Sequence, residues 1–298
     1  MQQPGVWEII IAMSAVLRQI LESNRTARAF VMGVLNVTPD SFSDGGKFLD
    51  TKDAIVHAEE MARQGADIID VGAESTRPGS RGVSAAEQIA RLGGILPAVV
   101  GLGLPVSIDT TNSVVAAHAL EAGAAIINDV SAGRDDPEML ALAGRWGCPI
   151  VLMHVLGRPR TMQDHPQYED VVKEVRDFLA GRIDAAVAAG VRPDRIIVDP
   201  GIGFGKTLEH NIALLAGIGS LTDLGCPVLV GVSRKRFIGQ LTGAEDPSKR
   251  LPGTIAACLA AWDGGATIFR VHDVAELKAA LAVASAVRNA RKPRYPGT

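Results

Sequence analysis

The sequence predicts one α/β domain with the architecture of a (β/α)₈ TIM barrel, and three observations support this prediction. Eight short apolar runs recur along the 298 residues, and most of them are rich in Val and Ile. The stretches between the runs carry apolar residues at helical spacing. Runs that are apolar on both faces are typical of parallel strands covered by helices, and about 250 residues suffice for a barrel of eight such units.

Each apolar run predicts one strand, and most runs follow a Gly, a Pro or a small residue that would end the preceding element. The predicted strands are Ala29–Asn36, Ala66–Asp70, Pro105–Asp109, Ala125–Asp129, Pro149–His154, Arg195–Asp199, Pro227–Ser233 and Ala266–His272.

Helical spacing predicts one helix after each strand. Asp50 or Thr51 can cap the first helix, and Ser84 with Glu87 forms a capping box at the start of the second. The predicted helices are Thr51–Gln64, Ser84–Val100, Asn112–Ala122, Pro137–Arg145, Tyr168–Ala189, Leu208–Leu221, Lys249–Ala261 and Val274–Val287.

No stretch has the composition of a linker, so residues 29–288 are predicted to form the whole barrel. Residues 1–28 are interpreted as an extension. Its apolar segment, Val6–Leu17, is interrupted by Glu8 and too short to span a membrane, so it either covers the barrel floor or precedes a start at Met13. Residues 289–298 are polar and are predicted to be a flexible tail.

The composition excludes several classes of partner. Lys and Arg number 30 against 33 for Asp and Glu, and the net charge of -3 gives no electrostatic reason to expect a nucleic acid or a membrane. Cys148, Cys226 and Cys258 lack metal-ligand spacing and are interpreted as reduced, buried thiols. This cysteine usage predicts a cytoplasmic location.

In a barrel of this type the carboxyl ends of all strands meet at one face. The residues expected there are Asn36, Asp70, Asp109, Asn128, His154, Asp199, Ser233 and His272. One Asp alone could cap a helix, but several with an Asn fit a heterocycle that carries both N–H donors and ring acceptors. His154 has no metal-ligand neighbour in sequence and is expected to be a buried structural residue.

Three loops on this face could act as lids, or could be ordinary solvated connections: Val37–Lys47, Gly72–Val83 and Leu156–Pro166. Within the second loop, Arg77 could clamp a carboxylate with two hydrogen bonds or could simply be exposed.

Two basic segments predict an anion site. Ser233–Arg236 (SRKR) follows the seventh strand, and Arg270 and His272 share one side of the eighth. The loops after strands seven and eight often bind phosphate in barrels, which favours an anion site over a solvated basic surface.

The glycine-rich segment Asp199–Thr207 (DPGIGFGKT) is not interpreted as a nucleotide-binding loop. Pro200 stands where a Walker loop requires its first glycine. The segment is instead predicted to be a turn whose glycines let a flat substrate approach the backbone, with Phe204 offering an aromatic face.

The motifs resemble those of the pterin-binding barrels of the dihydropteroate synthase family, over about Phe30–Val287. The two most specific are MGVLNVTPDSFSDGG (Met32–Gly46) and the SRK element (Ser233–Lys235). The others are IIDVGAESTRPG (Ile68–Gly79), SIDT (Ser107–Thr110), IINDV (Ile126–Val130), LMH (Leu152–His154), VDPGIGFGKTLEHN (Val198–Asn211), VGVSRKRFIG (Val230–Gly239) and RVHDV (Arg270–Val274). Two departures are Ala73, where many relatives have Gly, and Arg236-Phe237 after the SRK element.

The resemblance implies a transferase of folate biosynthesis. It would condense 6-hydroxymethyl-7,8-dihydropterin diphosphate with 4-aminobenzoate to give 7,8-dihydropteroate and pyrophosphate, through an SN1-like loss of pyrophosphate assisted by magnesium. It also implies Mg²⁺ as the cofactor, a homodimer through helices late in the chain, and inhibition by sulfonamides, which mimic aminobenzoate.

The resemblance also implies roles for particular residues. Asp109, Asn128, Asp199 and Lys235 would bind the pterin and form the catalytic set. Thr76, Arg77, Pro78, Phe204 and Ser233 would bind aminobenzoate. Asn36, Arg270 and His272 would bind the diphosphate, with Asn36 also a ligand of the metal. Thr38, Asp40, Phe42 and Ser43 would belong to a mobile loop.

Three alternatives remain open at this point. A methyltetrahydrofolate-binding methyltransferase shares the pterin barrel but needs neither the SRK anion site nor the first lid motif. An inactive pterin-binding paralogue would be indicated by loss of Asn36, Lys235, Arg270 or His272, and all four are present. A phosphate-binding barrel isomerase would need a Glu or Lys base at a strand end.

Overall fold

The computed structural model of the chain describes residues 6–37, 51–74, 82–157 and 166–291. All eight predicted strands form, and each begins one or two residues after its predicted start. They are β1 (Phe30–Asn36), β2 (Ile68–Gly72), β3 (Val106–Asp109), β4 (Ile126–Asp129), β5 (Ile150–Met153), β6 (Ile196–Asp199), β7 (Leu229–Val230) and β8 (Ile268–Val271).

The strands form one parallel sheet in the order β6-β5-β4-β3-β2-β1-β8-β7. A parallel bridge between Val198 of β6 and Val228, just before β7, joins the two edges. There the Val198 N–H donates to the Pro227 carbonyl at 3.0 Å. The sheet therefore curves back on itself as a barrel, and the predicted fold class is confirmed.

The helices surround this sheet. They are α1 (Val6–Leu21), α2 (Ser23–Thr26), α3 (Thr51–Arg63), α4 (Ala85–Gly93), α5 (Leu96–Val100), α6 (Ser113–Glu121), α7 (Glu138–Trp146), α8 (Val171–Ala188), α9 (Leu208–Ala216), α10 (Ile218–Thr222), α11 (Arg236–Thr242), α12 (Leu251–Asp263) and α13 (Val274–Arg291). Short 3₁₀ turns lie at Pro193–Arg195 and Pro247–Arg250.

Two predicted helices are each broken in two. The predicted Ser84–Val100 helix separates at Gly94, so that α4 is followed by α5 with Pro97 in its first turn. The predicted Leu208–Leu221 helix breaks at Gly217, where a Cβ atom would come within 2.8 Å of the Val172 side chain. Glycine at each junction weakens the helix, and the close approach of α8 leaves no room for a side chain at the second.

The lower end of the barrel is covered by α1. Ile20 is fully buried, and Val16, Leu17 and Leu21 pack beside it. They contact a cluster of side chains from the amino-terminal ends of the strands: Phe30, Met32, Ile68, Ile126, Val151, Ile197, Leu229 and Ile268. The helix therefore removes the apolar interior of the barrel from water at the end opposite the strand carboxyl termini.

The strand register aligns the opposite end. Asn36 of β1 pairs with Gly72 of β2, Gly72 pairs with Asp109 of β3, and Asp109 pairs with Asn128 of β4. On the far side, Asp199 ends β6 beside Met153. Residues that are distant in sequence thus form one continuous row at the carboxyl ends of the strands, which we call the mouth.

The three cysteines are buried, as expected. Burial raises the pKa of the Cys148 and Cys226 thiols to about 11 and that of Cys258 to about 12. The thiols are therefore neutral and weakly nucleophilic at ordinary pH. Within the part of the chain that the structure describes, no helix combines the length and apolarity needed to cross a membrane.

Candidate active site

A glycine separates the first two polar side chains of the mouth. A Cβ atom at Gly72 would lie 3.4 Å from the Asp109 Cβ and 3.7 Å from the Asn36 Oδ1. Asn36 and Asp109 therefore face the same small space above Gly72. Because Gly72 has no side chain, this space is left open between an amide oxygen and a carboxylate.

A buried ion-pair network lies beside this space. The Arg270 Nε donates to Asp70 Oδ2 at 2.6 Å, and its Nη2 donates to Asp109 Oδ2 at 2.8 Å. The Asn128 Nδ2 lies 3.2 Å from the same Asp70 oxygen. Asp70 is fully buried, so its role is to hold Arg270 and Asn128 rather than to meet a ligand. These contacts fix the orientation of the residues that do face the mouth.

Asp109 keeps one oxygen unused by this network. Its Oδ1 is buried and has no hydrogen-bond partner among the residues that the structure describes. A buried acceptor without a partner is costly and uncommon in a folded protein. The arrangement therefore suits a ligand that brings an N–H donor to Asp109.

The two carboxylates of the mouth are only 6% exposed and resist ionisation. Burial raises the pKa of Asp109 to about 7, opposed by the positive charge of Arg270. Burial likewise raises the pKa of Asp199 to about 6, opposed by the Gly201 N–H bond to its Oδ1 at 2.7 Å and by Lys235. Both groups thus gain from a ligand that donates hydrogen bonds to the ionised form or places positive charge beside it.

The turn after β6 requires glycine because it packs directly on the loop after β5. Gly201 has φ +67°, and a Cβ atom there would lie 1.9 Å from the His154 carbonyl oxygen. Gly205 has φ +65°, and its Cβ would lie 2.6 Å from the Leu156 carbonyl oxygen. Only glycine tolerates both the left-handed backbone and these approaches. The predicted turn is therefore present, and it carries Phe204 between the two glycines.

Lys235 lies across this turn. Its Nζ is 3.9 Å from the centre of the Phe204 ring, a cation–π contact. Burial lowers the pKa of Lys235 to about 8, opposed by Asp199. Lys235, Phe204 and Asp199 therefore form the wall of the mouth opposite Asn36.

The loops after β7 and β8 are joined by two side-chain pairs. The Ser233 Oγ lies 2.9 Å from the His272 Nδ1 and accepts the His272 backbone N–H at 3.2 Å. Arg234 has a positive φ of 58° and forms a two-point ion pair with Asp273, at 2.5 and 3.1 Å. The two loops therefore hold one another in place.

The three basic side chains of the SRKR run point in different directions. Arg234 points to Asp273, and Arg236 is exposed at the start of α11. Of the three basic residues, Lys235 is the one directed to the mouth. Sequence alone could not separate them because the left-handed backbone at Arg234 sends consecutive side chains in unrelated directions.

Two other predicted anion ligands, Arg270 and His272, already have hydrogen-bond partners within the protein. Two nitrogens of Arg270 are engaged by Asp70 and Asp109, so its guanidinium holds these two carboxylates in place. His272 is linked to Ser233. The remaining predicted site residues lie outside the described residues: Thr38, Asp40, Phe42, Ser43, Thr76, Arg77 and Pro78.

Sequence reasoning missed Lys206, a buried lysine in the turn after β6. It is 3% exposed, and its Nζ lies 3.0 Å from both the Phe204 carbonyl oxygen and the His154 Nδ1. His154 is buried, as expected, and meets the Phe178 ring edge-on. The available signal was a lysine inside a glycine-rich turn.

The mouth offers few protein oxygen ligands to a hard divalent cation such as Mg²⁺. No group of three or more His, Cys, Asp or Glu side chains suited to a metal occurs in the described ranges. Asn36 offers one amide oxygen beside the open space above Gly72. Mg²⁺ keeps several waters and often takes one or two protein ligands plus substrate phosphates, so one Asn oxygen is compatible with it.

Comparison with known proteins gives a consistent result. A family model described as "Pterin binding enzyme" matches residues 32–272. The dihydropteroate synthase of a Synechocystis species is 49% identical over 261 residues, which are 87% of this chain and 90% of that protein.

Two solved structures are similar in fold and sequence. Dihydropteroate synthase of Xanthomonas albilineans with 4-aminobenzoic acid is 46% identical, with a TM-score of 0.83 over 90% of this chain and 94% of that one. Dihydropteroate synthase of Yersinia pestis in a sulfonamide drug complex is 41% identical, with a TM-score of 0.84 over 89% and 96%. The range matched by the family model contains all the mouth residues from Asn36 to His272.

Proposed function

The chain belongs to the pterin-binding enzyme family, and within it to the dihydropteroate synthases, transferases of folate biosynthesis; from this premise we propose how its mouth carries out the reaction. The substrates are 6-hydroxymethyl-7,8-dihydropterin diphosphate and 4-aminobenzoate, and the products are 7,8-dihydropteroate and pyrophosphate. The observation that carries the proposal is the gathering of Asp109, Asn128, Asp199 and Lys235 around one opening, with Asp109 Oδ1 buried and unpartnered.

The pterin ring binds between the two walls of the mouth. Its ring N–H and amino groups donate to Asp109 and Asp199, the two buried carboxylates. Asn128, held through its Nδ2 by Asp70, offers its amide oxygen as an acceptor. Lys235 donates to a ring acceptor from the opposite side. Because Asp109, Asn128 and Asp199 are nearly buried, a ring with a different donor pattern would leave their polar atoms without partners at a cost in free energy.

The diphosphate lies toward the ends of β1 and β8. Asn36, Arg270 and His272 bind it in this proposal, with Arg270 also keeping Asp109 in place. When bound at Asn36, Mg²⁺ would neutralise charge that develops on the diphosphate as the bond to carbon breaks.

Bond cleavage precedes bond formation in the proposed order. The methylene carbon–oxygen bond breaks, and its electron pair leaves with pyrophosphate. The resulting cation is delocalised into the dihydropterin ring, where the negative charges of Asp109 and Asp199 stabilise it. The neutral amine of aminobenzoate then attacks the methylene carbon and loses one proton. No covalent enzyme intermediate forms, in keeping with the three inert thiols.

This order of events has a direct test. Aminobenzoate analogues with amines of graded basicity should leave the rate of carbon–oxygen cleavage unchanged, because the amine takes no part in that step. A cleavage rate that rises with amine basicity in single-turnover experiments would show that attack and departure are concerted.

In this proposal aminobenzoate binds beside Phe204 and Ser233, and Thr76, Arg77 and Pro78 of the loop after β2 also contribute to its binding.

Two further proposals concern the molecule as a whole: a cytoplasmic location and a homodimer. The dimer would involve the late helices, where Thr254–Ala261 (TIAACLAA) combines small residues, and sedimentation of the purified chain would test it.

The overall reaction is tested by measuring pyrophosphate release. We expect release from the dihydropterin diphosphate to require Mg²⁺, and stoichiometric dihydropteroate to form once aminobenzoate is added. Tight pterin binding with no turnover under any of these conditions would indicate an inactive pterin-binding protein instead.

A further inference from the structure

The turn after β6 contains a buried cation that the proposed reaction does not use. The Lys206 Nζ donates to the Phe204 carbonyl oxygen at 3.0 Å and lies 3.5 Å from the His154 carbonyl oxygen. It is also 3.0 Å from the His154 Nδ1. Lys206 thus connects the turn that carries Phe204 to the end of β5.

Charge at this position is unfavourable in itself. Burial lowers the pKa of Lys206 to about 7, with Asp199 raising it and Lys235 lowering it further. Burial, together with Lys206, lowers the pKa of His154 to about 3, so the imidazole is neutral and its Nδ1 accepts from the ammonium. A methionine of similar shape would avoid this cost of burying a charge, but it would leave the Phe204 carbonyl and the His154 Nδ1 without the donor that Lys206 supplies.

The hydrogen bonds of Lys206 converge on the backbone that presents Phe204. Gly201 and Gly205 press against the β5 loop on either side of this residue, and the Tyr168 hydroxyl donates to the Gly205 carbonyl at 2.9 Å. Lys206 reaches the carbonyl of Phe204 itself. The Phe204 ring then packs on Met153 and Val155 and supports the Lys235 ammonium.

We propose that Lys206 is a positioning residue, which fixes the Phe204 peptide so that the aromatic ring forms a rigid wall for 4-aminobenzoate. The inference rests on the proposed function, because it takes aminobenzoate as the second substrate. We expect pterin binding to depend on Phe204 less than aminobenzoate binding does. Lys235, which contacts the pterin in the proposed function, is attracted by the charge of Asp199 as well as by the Phe204 ring.

The test is to compare Lys206→Met with Lys206→Gln in steady-state kinetics. Lys206→Met should raise the KM for aminobenzoate about tenfold, because a small displacement of a binding wall has effects of this size. The KM for the pterin diphosphate should change by no more than about twofold. Lys206→Gln retains an N–H donor for the Phe204 carbonyl and should recover most of the aminobenzoate affinity.

The matched control is Lys173→Met, which removes an exposed lysine paired with Asp177 on α8 and should leave both KM values unchanged. An active Lys206→Met enzyme with unaltered KM for aminobenzoate would overturn the inference. So would an equal rise in both KM values, or a Gln variant no better than Met. A wild-type chain that makes no dihydropteroate would instead overturn the proposed function.

A second variant keeps the test usable if Lys206→Met does not fold. His154→Leu removes the imidazole acceptor of Lys206 while filling the space against Phe178. The bond from Lys206 to the Phe204 carbonyl remains in this variant, so we expect a smaller but still selective rise in the KM for aminobenzoate. No rise in that KM, or an equal rise in both KM values, would contradict the role assigned to Lys206.

Discussion

At the scale of single residues, the mouth contains two carboxyl groups whose ionisation is disfavoured by burial. Asp109 and Asp199 are both nearly buried at the ends of their strands. Sequence showed that these carboxylates end strands and should converge. It did not show that Asp70 would hold Arg270 and Asn128, since such pairing depends on which side chains face each other across the barrel.

The substitution Asp199→Asn should separate stability from binding. Because burial raises the folded-state pKa of Asp199 to about 6, the ionised carboxylate costs stability above that pH, and the cost disappears as the pH falls toward the unfolded value near 3.8. Asparagine removes the charge and can still accept the Gly201 N–H. We therefore expect an unchanged or higher melting temperature at pH 8 and a pterin affinity reduced by roughly 2–3 kcal/mol, measured by calorimetry.

Wild-type pterin affinity in this variant would show that Asp199 does not meet the ring. A large fall in melting temperature would contradict the unfavourable burial of its charge.

The pH dependence of kcat/KM for the pterin substrate should be bell-shaped. Below the range in which Asp109 (pKa about 7) and Asp199 (pKa about 6) ionise, protonated carboxyls lose their function as charged acceptors. Above the pKa of Lys235, about 8, the lysine loses its positive charge. The profile should therefore fall on both sides of a maximum between about 7 and 8.

A control uses the pterin alcohol that lacks the diphosphate, because its charge does not follow phosphate ionisation. Its binding constant should show the same acidic limb. Constant affinity for the alcohol from pH 5 to 8 would assign the limb to the substrate rather than to the carboxylates.

At the scale of elements, apolar runs and helical spacing were sufficient to locate eight strands and most helices. They were not sufficient to locate α11, because its seven residues follow the basic run and are too short to display a period. The breaks at Gly94 and Gly217 were also missed. Both depend on what packs against the helix, as the contact between Gly217 and Val172 shows.

Removing the contact between α1 and the barrel should weaken the fold without altering the chemistry. Ile20 is fully buried against strand residues at the end opposite the mouth. Ile20→Ala should lower the free energy of unfolding by about 2–4 kcal/mol in urea titrations, through lost apolar contact and the cavity left behind.

The matched control is Val283→Ala on α13, where the side chain is 68% exposed and the cost should be below about 0.5 kcal/mol. Equal, small effects of the two substitutions would show that α1 does not contribute to the folded core. Both variants should keep the wild-type KM for each substrate.

At the scale of the whole molecule, the barrel turns scattered residues into one site. Asn36, Asp109, Asn128 and Asp199 belong to four different strands, and parallel register alone brings the first three into a row. The fold class therefore made the convergence predictable. The directions of Arg234 and Lys206 were not predictable, because each is set by loop backbone in which glycines or a left-handed residue change the course of the chain.

Sulfonamides should inhibit the chain in competition with aminobenzoate. The Yersinia pestis relative has been solved in a sulfonamide drug complex. In this chain Phe204 alone separates Gly203 from Gly205, and its ring contacts Lys235 in the wall proposed to bind aminobenzoate. We expect the inhibition constant to be comparable to the KM for aminobenzoate. Inhibition that does not weaken as aminobenzoate rises would place the inhibitor elsewhere.

The central claim is that Asn128 and Lys235, on opposite walls of the mouth, bind the same pterin ligand. Calorimetric titration of the dihydropterin diphosphate into the wild type, Asn128→Ala and Lys235→Met tests it most directly. We expect one molecule bound per wild-type chain, and an affinity weakened by about tenfold or more in each variant, as for loss of a buried hydrogen bond. Wild-type affinity in either variant would contradict the claim.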